Sequence, residues 1–390
     1  MENFDDIRPY NDSEVNDVIG RLLKNDEFIS SVAQFRLPRL SKGLPELVKK
    51  QVKKSLTKKL SHIDTIDGVQ EIISKYIVKI LETTTTGLTE SGLSGLSKNT
   101  SSLFISNHRD IVMDPALMGY LLHKSVHGTA QVAIGDNLLK KEYISDLMRL
   151  NKSFIVKRSV QGREKLLASK QLSQYISYSI DQGNNVWLAQ REGRAKNGID
   201  KTDPTILKML HLANRDSKTK MSLKESIDKL RIVPVSISYE YDPCAELKAR
   251  ELFEIDKNGH FEKDEKSDLT SIATGMNGEK GNVHLYFGTE VICVDSDPVN
   301  IANQIDEQII TNYKLYPSNY LAYEKLQIAE PSIGSELKEL NVDLKVIEQK
   351  RTDFEDKYKQ IEEELKPYFL RMYANPVINK FQFQSLTVNH

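Results

Sequence analysis

The 390-residue chain is poor in cysteine: it has two, Cys244 and Cys293, isolated from each other and from any ligand at metal spacing. That excludes a disulfide scaffold and a zinc-ribbon framework, and makes a reducing compartment the expectation. Long hydrophobic runs are also missing. None reaches the roughly 18 apolar residues that a membrane span requires. The amino-terminal stretch "MENFDDIRPYNDSE" is acidic and polar, unlike a secretory signal or transit peptide. The expectation is a soluble or membrane-surface protein made in the cytoplasm. Three catalytic signatures are absent as well: no G-x-S-x-G nucleophile elbow, no H-E-x-x-H zinc pair and no P-loop. What remains is ordinary in bulk, with 39% hydrophobic and 28% charged residues and a formal net charge of -1. Length alone suggests about two to three domains.

The near-neutral charge conceals an uneven distribution. From Arg36 to Leu60, nine residues are Lys or Arg and only Glu46 is acidic. Leu44, Val48, Val52, Leu56 and Leu60 recur every four residues, with Leu47 beside them, which predicts a helix with one apolar stripe. Such a helix could lie apolar side down on an anionic membrane surface, or pack on its own domain with a solvated basic face. Nucleic-acid binding is disfavoured, because the basic helix lacks interleaved aromatics and the rest of the chain lacks a reading motif.

Residues 10–82 read as helical, and Thr83–Ser101 as a Thr/Ser/Gly-rich connection with room for a short strand. Beyond it, short apolar runs alternate with amphipathic stretches. The runs are "SLFIS", "TAQVAIG", "SFIVKR", "NVWLAQ", "RIVPVSISYEY" and "GNVHLYFG". This alternation predicts an α/β core with a mixed, partly parallel sheet flanked by helices. From Leu337 the apolar positions 337, 340, 344, 347, 354, 358, 361, 365 and 368 step by three and four, interrupted at Arg351. That heptad predicts a long C-terminal helix seaming with another helix of the same chain or of a second subunit, and so a homo-oligomer in the second case. The domain boundaries that follow are 1–86 (N-terminal helices), 87–330 (α/β domain) and 331–390 (C-terminal helix and tail).

Working residues in such sheets gather on loops beyond the carboxyl ends of the strands. "SLFIS" runs into Asn107-His108-Arg109-Asp110, with Asp114-Pro115 close behind. A histidine steered by a carboxylate can take a proton from a hydroxyl, although a lone loop histidine near an Asp is more often a structural pair. "SFIVKRS" ends in Lys157 and Arg158, and "QREGRAKNG" supplies Arg191, Glu192, Gly193 and Arg194. Arginine suits forked recognition of phosphate, and glycine lets backbone amides approach an anion. One basic cluster of this kind is usually a solvated loop. Two of them, with a histidine at a third strand end, outline a site that binds phosphate and deprotonates a nearby hydroxyl.

In this order, these segments resemble the motif blocks of the glycerolipid acyltransferases, the glycerol-3-phosphate and lysophosphatidic acid enzymes especially. "SGLSGLSKNTSSLFISNHRDIVMDP" is similar to the His-Asp block, "AIGDNLLKKEYISDLMRLNKSFIVKR" to the second, and "VWLAQREGRAKNG" to the Glu-Gly block. "IVPVSISYEY" resembles the fourth, and "NVHLYFGTEV" the strand closing the core. The likeness spans roughly residues 88–292. Two departures stand out. Five residues, not four, separate His108 from Asp114, leaving Asp110 as the rival acid, and no Ser or Thr stands between Gly193 and Arg194, leaving Arg191 as that arginine's rival. An Asp-Pro opening the next helix matches the family better, which favours Asp114.

The resemblance implies an acyltransferase-like core and direct transfer of a fatty acyl group from acyl-CoA or acyl-ACP to a hydroxyl of glycerol-3-phosphate or a lysophospholipid. His108 would be the general base and Asp114 would orient it. Arg158 and Arg194 would hold the acceptor's phosphate, with Arg109, Lys157 and Arg191 as further basic contacts, and Glu192 and Gly193 would shape the site. No metal or redox cofactor is implied. The implied setting is phospholipid biosynthesis on the inner face of the cytoplasmic membrane. A catalytically silent acyltransferase-like protein that binds lipid or serves as a scaffold is the alternative from another class.

Overall fold

The computed structural model describes residues 4–98, 100–125, 127–215, 220–263, 267–330 and 343–388. Its strands are β1 (Thr85–Ser91), β2 (Leu103–Ser106), β3 (Ala130–Gly135), β4 (Ser153–Val156), β5 (Asn185–Ala189), β6 (Ile232–Tyr239) and β7 (Gly281–Phe287). Each apolar run quoted above became one of β2 to β7, and the Thr/Ser/Gly-rich connection contains β1. The chain divides into two compact units, Met1–Tyr76 with Gln131–Tyr175, and Ile77–Ala130 with Ile176–His390.

In the first unit, helices Asp12–Lys24, Asp26–Arg36, Pro38–Gly43 and Pro45–Leu60 follow one another closely. Asn11 caps the first, its side chain bonded at the N3 backbone while Glu14 reaches back, which satisfies amides left open at a helix start. The apolar stripe of Pro45–Leu60 turns inward. Val48, Val52 and Leu56 are buried with Val18, Leu22 and Phe28, so the stripe serves this unit's own core and the lysines form its solvated face. β3 and β4 pair in parallel from Val132↔Ser153 to Gly135↔Val156.

The second unit is built on strands in the order β1-β7-β6-β2-β5. β1 with β7, β6 with β2 and β2 with β5 are parallel, while β6 and β7 are antiparallel, so the sheet is mixed. Every residue of β2 and β6 is buried, as expected of strands covered on both faces. Pro234 sits inside β6 without harm. Its carbonyl accepts from Gly288 N at 2.8 Å on the β7 side, just beyond the last β6–β7 pair, Val235↔Phe287. The ring nitrogen faces that same side, at the end of the β6–β7 ladder, so its missing N–H leaves the pairing with β2 intact.

At the carboxyl end of the chain, Leu337 and Leu340 of the heptad lie outside the described residues. The expected long helix is present as Lys366–Val388, but it begins where the heptad fades. Positions 344–365 form two short helices, Leu344–Gln349 and Arg351–Lys359, and a 3-10 turn. Ile347, Phe354, Ile361 and Leu365 are buried against Leu321, Leu326 and Phe369 of the same unit. The seam is therefore made within the chain. These four side chains are not available to a second subunit.

Candidate active site

β2 delivers the histidine. Its last residue, Ser106, is followed by Asn107, whose side chain behaves like one more rung of sheet. Asn107 Oδ1 accepts from Ile237 N at 2.7 Å, and Nδ2 donates to Ile237 O at 3.0 Å. The loop beyond is thereby anchored to β6. His108 lies at its apex with 14% of its side chain exposed, its ring edge-on to Trp187 at 5.4 Å between centroids.

His108 Nδ1 lies 2.8 Å from Asp114 Oδ2. Asp114 opens the helix Met113–Lys124, where the helix dipole favours negative charge. It is fully buried and its carboxylate is crowded with donors. Besides His108, Oδ2 accepts from Arg109 N at 2.5 Å and Asp110 N at 2.9 Å, and Oδ1 from Tyr239 Oη at 2.7 Å. Burial alone would raise its pKa, but the hydrogen bonds and His108 together hold it below the usual carboxylate value. An ionised Asp114 can only accept, so Nδ1 of His108 carries the hydrogen. Nε2 is then the basic nitrogen, and it has no hydrogen-bond partner among the described residues.

The extra residue between His108 and Asp114 is absorbed by the loop turning back on itself, so that Asp114 binds two of its own loop amides. Asp110, the rival acid, closes the turn that leads into this helix: its Oδ1 accepts from Val112 N at 3.0 Å and Met113 N at 2.8 Å. Burial raises its pKa, with Asp114 adding to the effect. The acid bonded to the imidazole is Asp114.

Arg109 turns inward. It is buried, its Nη2 pairs with Asp200 Oδ2 at 2.5 Å, and Nη1 donates to Ala195 O at 3.2 Å. The loop after β5 is stitched to the histidine loop: Gln190 N donates to Ser106 O, and Ala195 N to His108 O, each at 2.8 Å. Glu192 and Gly193 are exposed on that loop, and Gly193 has φ +77°, a left-handed conformation that side chains disfavour. Arg191 is half-buried, makes no hydrogen bond among the described residues, and lends positive charge to Asp200, whose pKa burial raises. Arg194 touches Ser271 Oγ at 3.5 Å through Nη2, while its Nη1 is buried without a partner among the described residues. Lys196 pairs with Glu251, and burial lowers its pKa.

Lys157 and Arg158 belong to the first unit. Lys157 Nζ meets Asp6 at 2.5 Å and Gln171 Oε1 at 3.3 Å. Arg158 is exposed after β4, its backbone N held by Asp136 Oδ1 at 3.0 Å and its side chain lying along Gly135. Among the described residues no group of three or more His, Cys, Asp or Glu is placed to hold a metal ion.

Comparison with known families gives residues 87–238 as a match to the family described as Acyltransferase. The match takes in less than half of the chain. Among solved structures, the 1-acyl-sn-glycerophosphate (LPA) acyltransferase PlsC from Thermotoga maritima is similar over 75% of this chain and 92% of that one, at 13% identity and a TM-score of 0.36. No curated protein matches the chain.

The His108–Asp114 pair, the Arg191–Arg194 loop and all of β6 but Tyr239 fall inside the matched residues 87–238. Four of the site's contributors went unread in the sequence: Asn107, Trp187, Asp200 and Tyr239. Only Tyr239 had a local signal, as the tyrosine ending a buried strand on the same side of the sheet as the histidine loop. The other three are recognised by pairings 80 or more residues apart, such as Trp187 Nε1 to Ser106 Oγ at 2.9 Å.

Proposed function

We propose that the protein transfers a fatty acyl group from an acyl thioester, of coenzyme A or acyl carrier protein, to a hydroxyl of glycerol-3-phosphate or a lysophospholipid. The reading is carried by one observation: a part-exposed imidazole whose Nδ1 is bonded to a carboxylate held ionised by three further donors, and whose Nε2 is free.

In this mechanism Nε2 of His108 takes the acceptor hydroxyl's proton as its oxygen attacks the thioester carbonyl carbon. The C–O bond forms and a tetrahedral intermediate results. Its collapse breaks the C–S bond, and the departing thiolate takes the proton back from His108. Asp114 touches neither substrate. It fixes the imidazole's tautomer and favours the transient imidazolium. Arg194 suits the acceptor's phosphate because its buried Nη1 lacks a partner among the described residues. A positioned base contributes about 10²–10⁴-fold, and the remainder of the acceleration falls to orientation and charge stabilisation.

The product class places the work at a lipid surface, and among the described residues no helix is long and apolar enough to cross a membrane. A peripheral site on an anionic membrane face is part of the proposal. Purified chain with labelled acyl-CoA and a panel of glycerol-3-phosphate, lysophosphatidate and other lysolipids tests it. His108→Ala is expected to lower turnover about 10²–10⁴-fold with lipid binding intact. A parent chain that transfers no acyl group to any of these acceptors would favour the silent scaffold instead.

A further inference from the structure

The loop that presents Arg194 is gripped by the far end of the chain. Helix Lys366–Val388 contains Pro376, which has no N–H to offer the carbonyl four residues back, at Met372. Gly198 sits against that carbonyl. Its φ is +78°, and a Cβ built there would fall 2.3 Å from Met372 O and 3.1 Å from Pro376 Cδ. On the same helix, Asn375 Nδ2 donates to Asn197 O at 2.7 Å and Asn379 Nδ2 to Gly198 O at 3.3 Å. One helix thus offers a proline notch and two amide donors to a two-residue turn that only glycine can complete.

We infer that the C-terminal helix is a positioning clamp for the Arg191–Asp200 loop, with Asn375 and Asn379 setting the placement of Arg194 toward the acceptor's phosphate. The helix lies outside residues 87–238, the part matched to the acyltransferase family. Two residues, Ala195 and Lys196, separate Arg194 from Asn197, and Ala195 N bonds His108 O. A loop released at Asn197 and Gly198 keeps its ties through Ala195 to the histidine loop, through Lys196 to Glu251 and through Asp200 to Arg109. The clamp therefore acts first on the phosphate-facing arginine and much less on the imidazole, whose own anchor is Asp114. This inference rests on the acyl-transfer reading for its acceptor, but the grip on the loop is measurable without turnover.

The experiment compares the full chain with Asn379→Ala and with Asn375→Ala/Asn379→Ala. Hydrogen exchange should quicken about tenfold or more across residues 191–200, since each lost bond to a part-buried carbonyl shifts local opening by about that factor. Exchange in helix residues 366–374 should stay unchanged, which shows that the helix itself remains folded. With glycerol-3-phosphate as acceptor, the acceptor KM should rise about five- to tenfold while the acyl-CoA KM and kcat stay within about twofold. Unchanged exchange in residues 191–200 overturns the clamp. Quickened exchange with an unmoved acceptor KM, or with kcat falling instead, overturns its positioning role. A parent chain without acyl transfer removes the acyl-transfer reading and the acceptor with it, and the exchange data still decide whether the helix holds the loop.

Discussion

Lys280 is fully buried, and its ammonium donates to Thr84 Oγ1 at 3.0 Å and to Gly278 O at 2.9 Å. Burial lowers its pKa to about 8, against the opposing attraction of Asp110. The unfolded lysine titrates near 10.5. Between pH about 8 and 10.5 the unfolded chain holds a proton that the folded chain has shed, so stability rises with pH across that window. Lys280→Met should remove this rise, as read by urea unfolding of parent and variant side by side across the window; equal slopes in the two would show that the lysine does not titrate there. His108 and Asp114 differ from Lys280 in how far the sequence exposed them. Their residue types and spacing after an apolar run mark them as candidates before any coordinates. Nothing local marks Lys280, since its burial depends on β7 and the Ile66–Thr84 helix meeting around it.

Among the elements, β2 and β6 matter most to chemistry, and Asn107 joins them. Truncating it to Ala leaves Ile237 N and O buried without their partners, each costing about 1–3 kcal/mol. Asn107→Ala should therefore lower the melting temperature and turnover together. A variant that melts like the parent would show that the loop does not depend on this rung. The strands themselves were readable, because buried parallel strands are near-continuous apolar runs bounded by polar loops. The C-terminal helices were less so. A heptad records where apolar residues face, not whether the helix is continuous, and Lys350 and Gln360 end helices inside the pattern. Pro376, inside the long helix, looks like a breaker until Gly198 is seen against it.

For the molecule as a whole, the proposed membrane contact shifts to other residues than the four-residue stripe. With Val48, Val52 and Leu56 buried, the large apolar side chains of residues 35–47 that face solvent include Phe35, Leu40, Leu44 and Leu47, at 49%, 55%, 56% and 62% exposure. Arg39, Lys42 and Lys50 are exposed among them. Insertion of these four beneath a ring of cations suits an anionic bilayer better than a helix lying on its stripe. Vesicle binding should rise with anionic lipid, weaken with salt, and fall about tenfold in Leu44→Ser/Leu47→Ser, from the apolar burial lost. Binding indifferent to lipid charge and to these leucines would remove the membrane contact while leaving soluble-acceptor turnover untouched.

Periodicity and residue type, which are local, were enough to specify the strands, the N-terminal helices and the motifs around His108. Distance along the chain hid the rest. That Arg109 is committed to Asp200, and that a C-terminal proline and two asparagines meet the Arg194 loop, both depend on contacts between segments far apart in sequence. Such contacts arise from packing, where side chains choose partners by fit and by the need to satisfy buried polar groups, and spacing along one strand or helix carries no record of them.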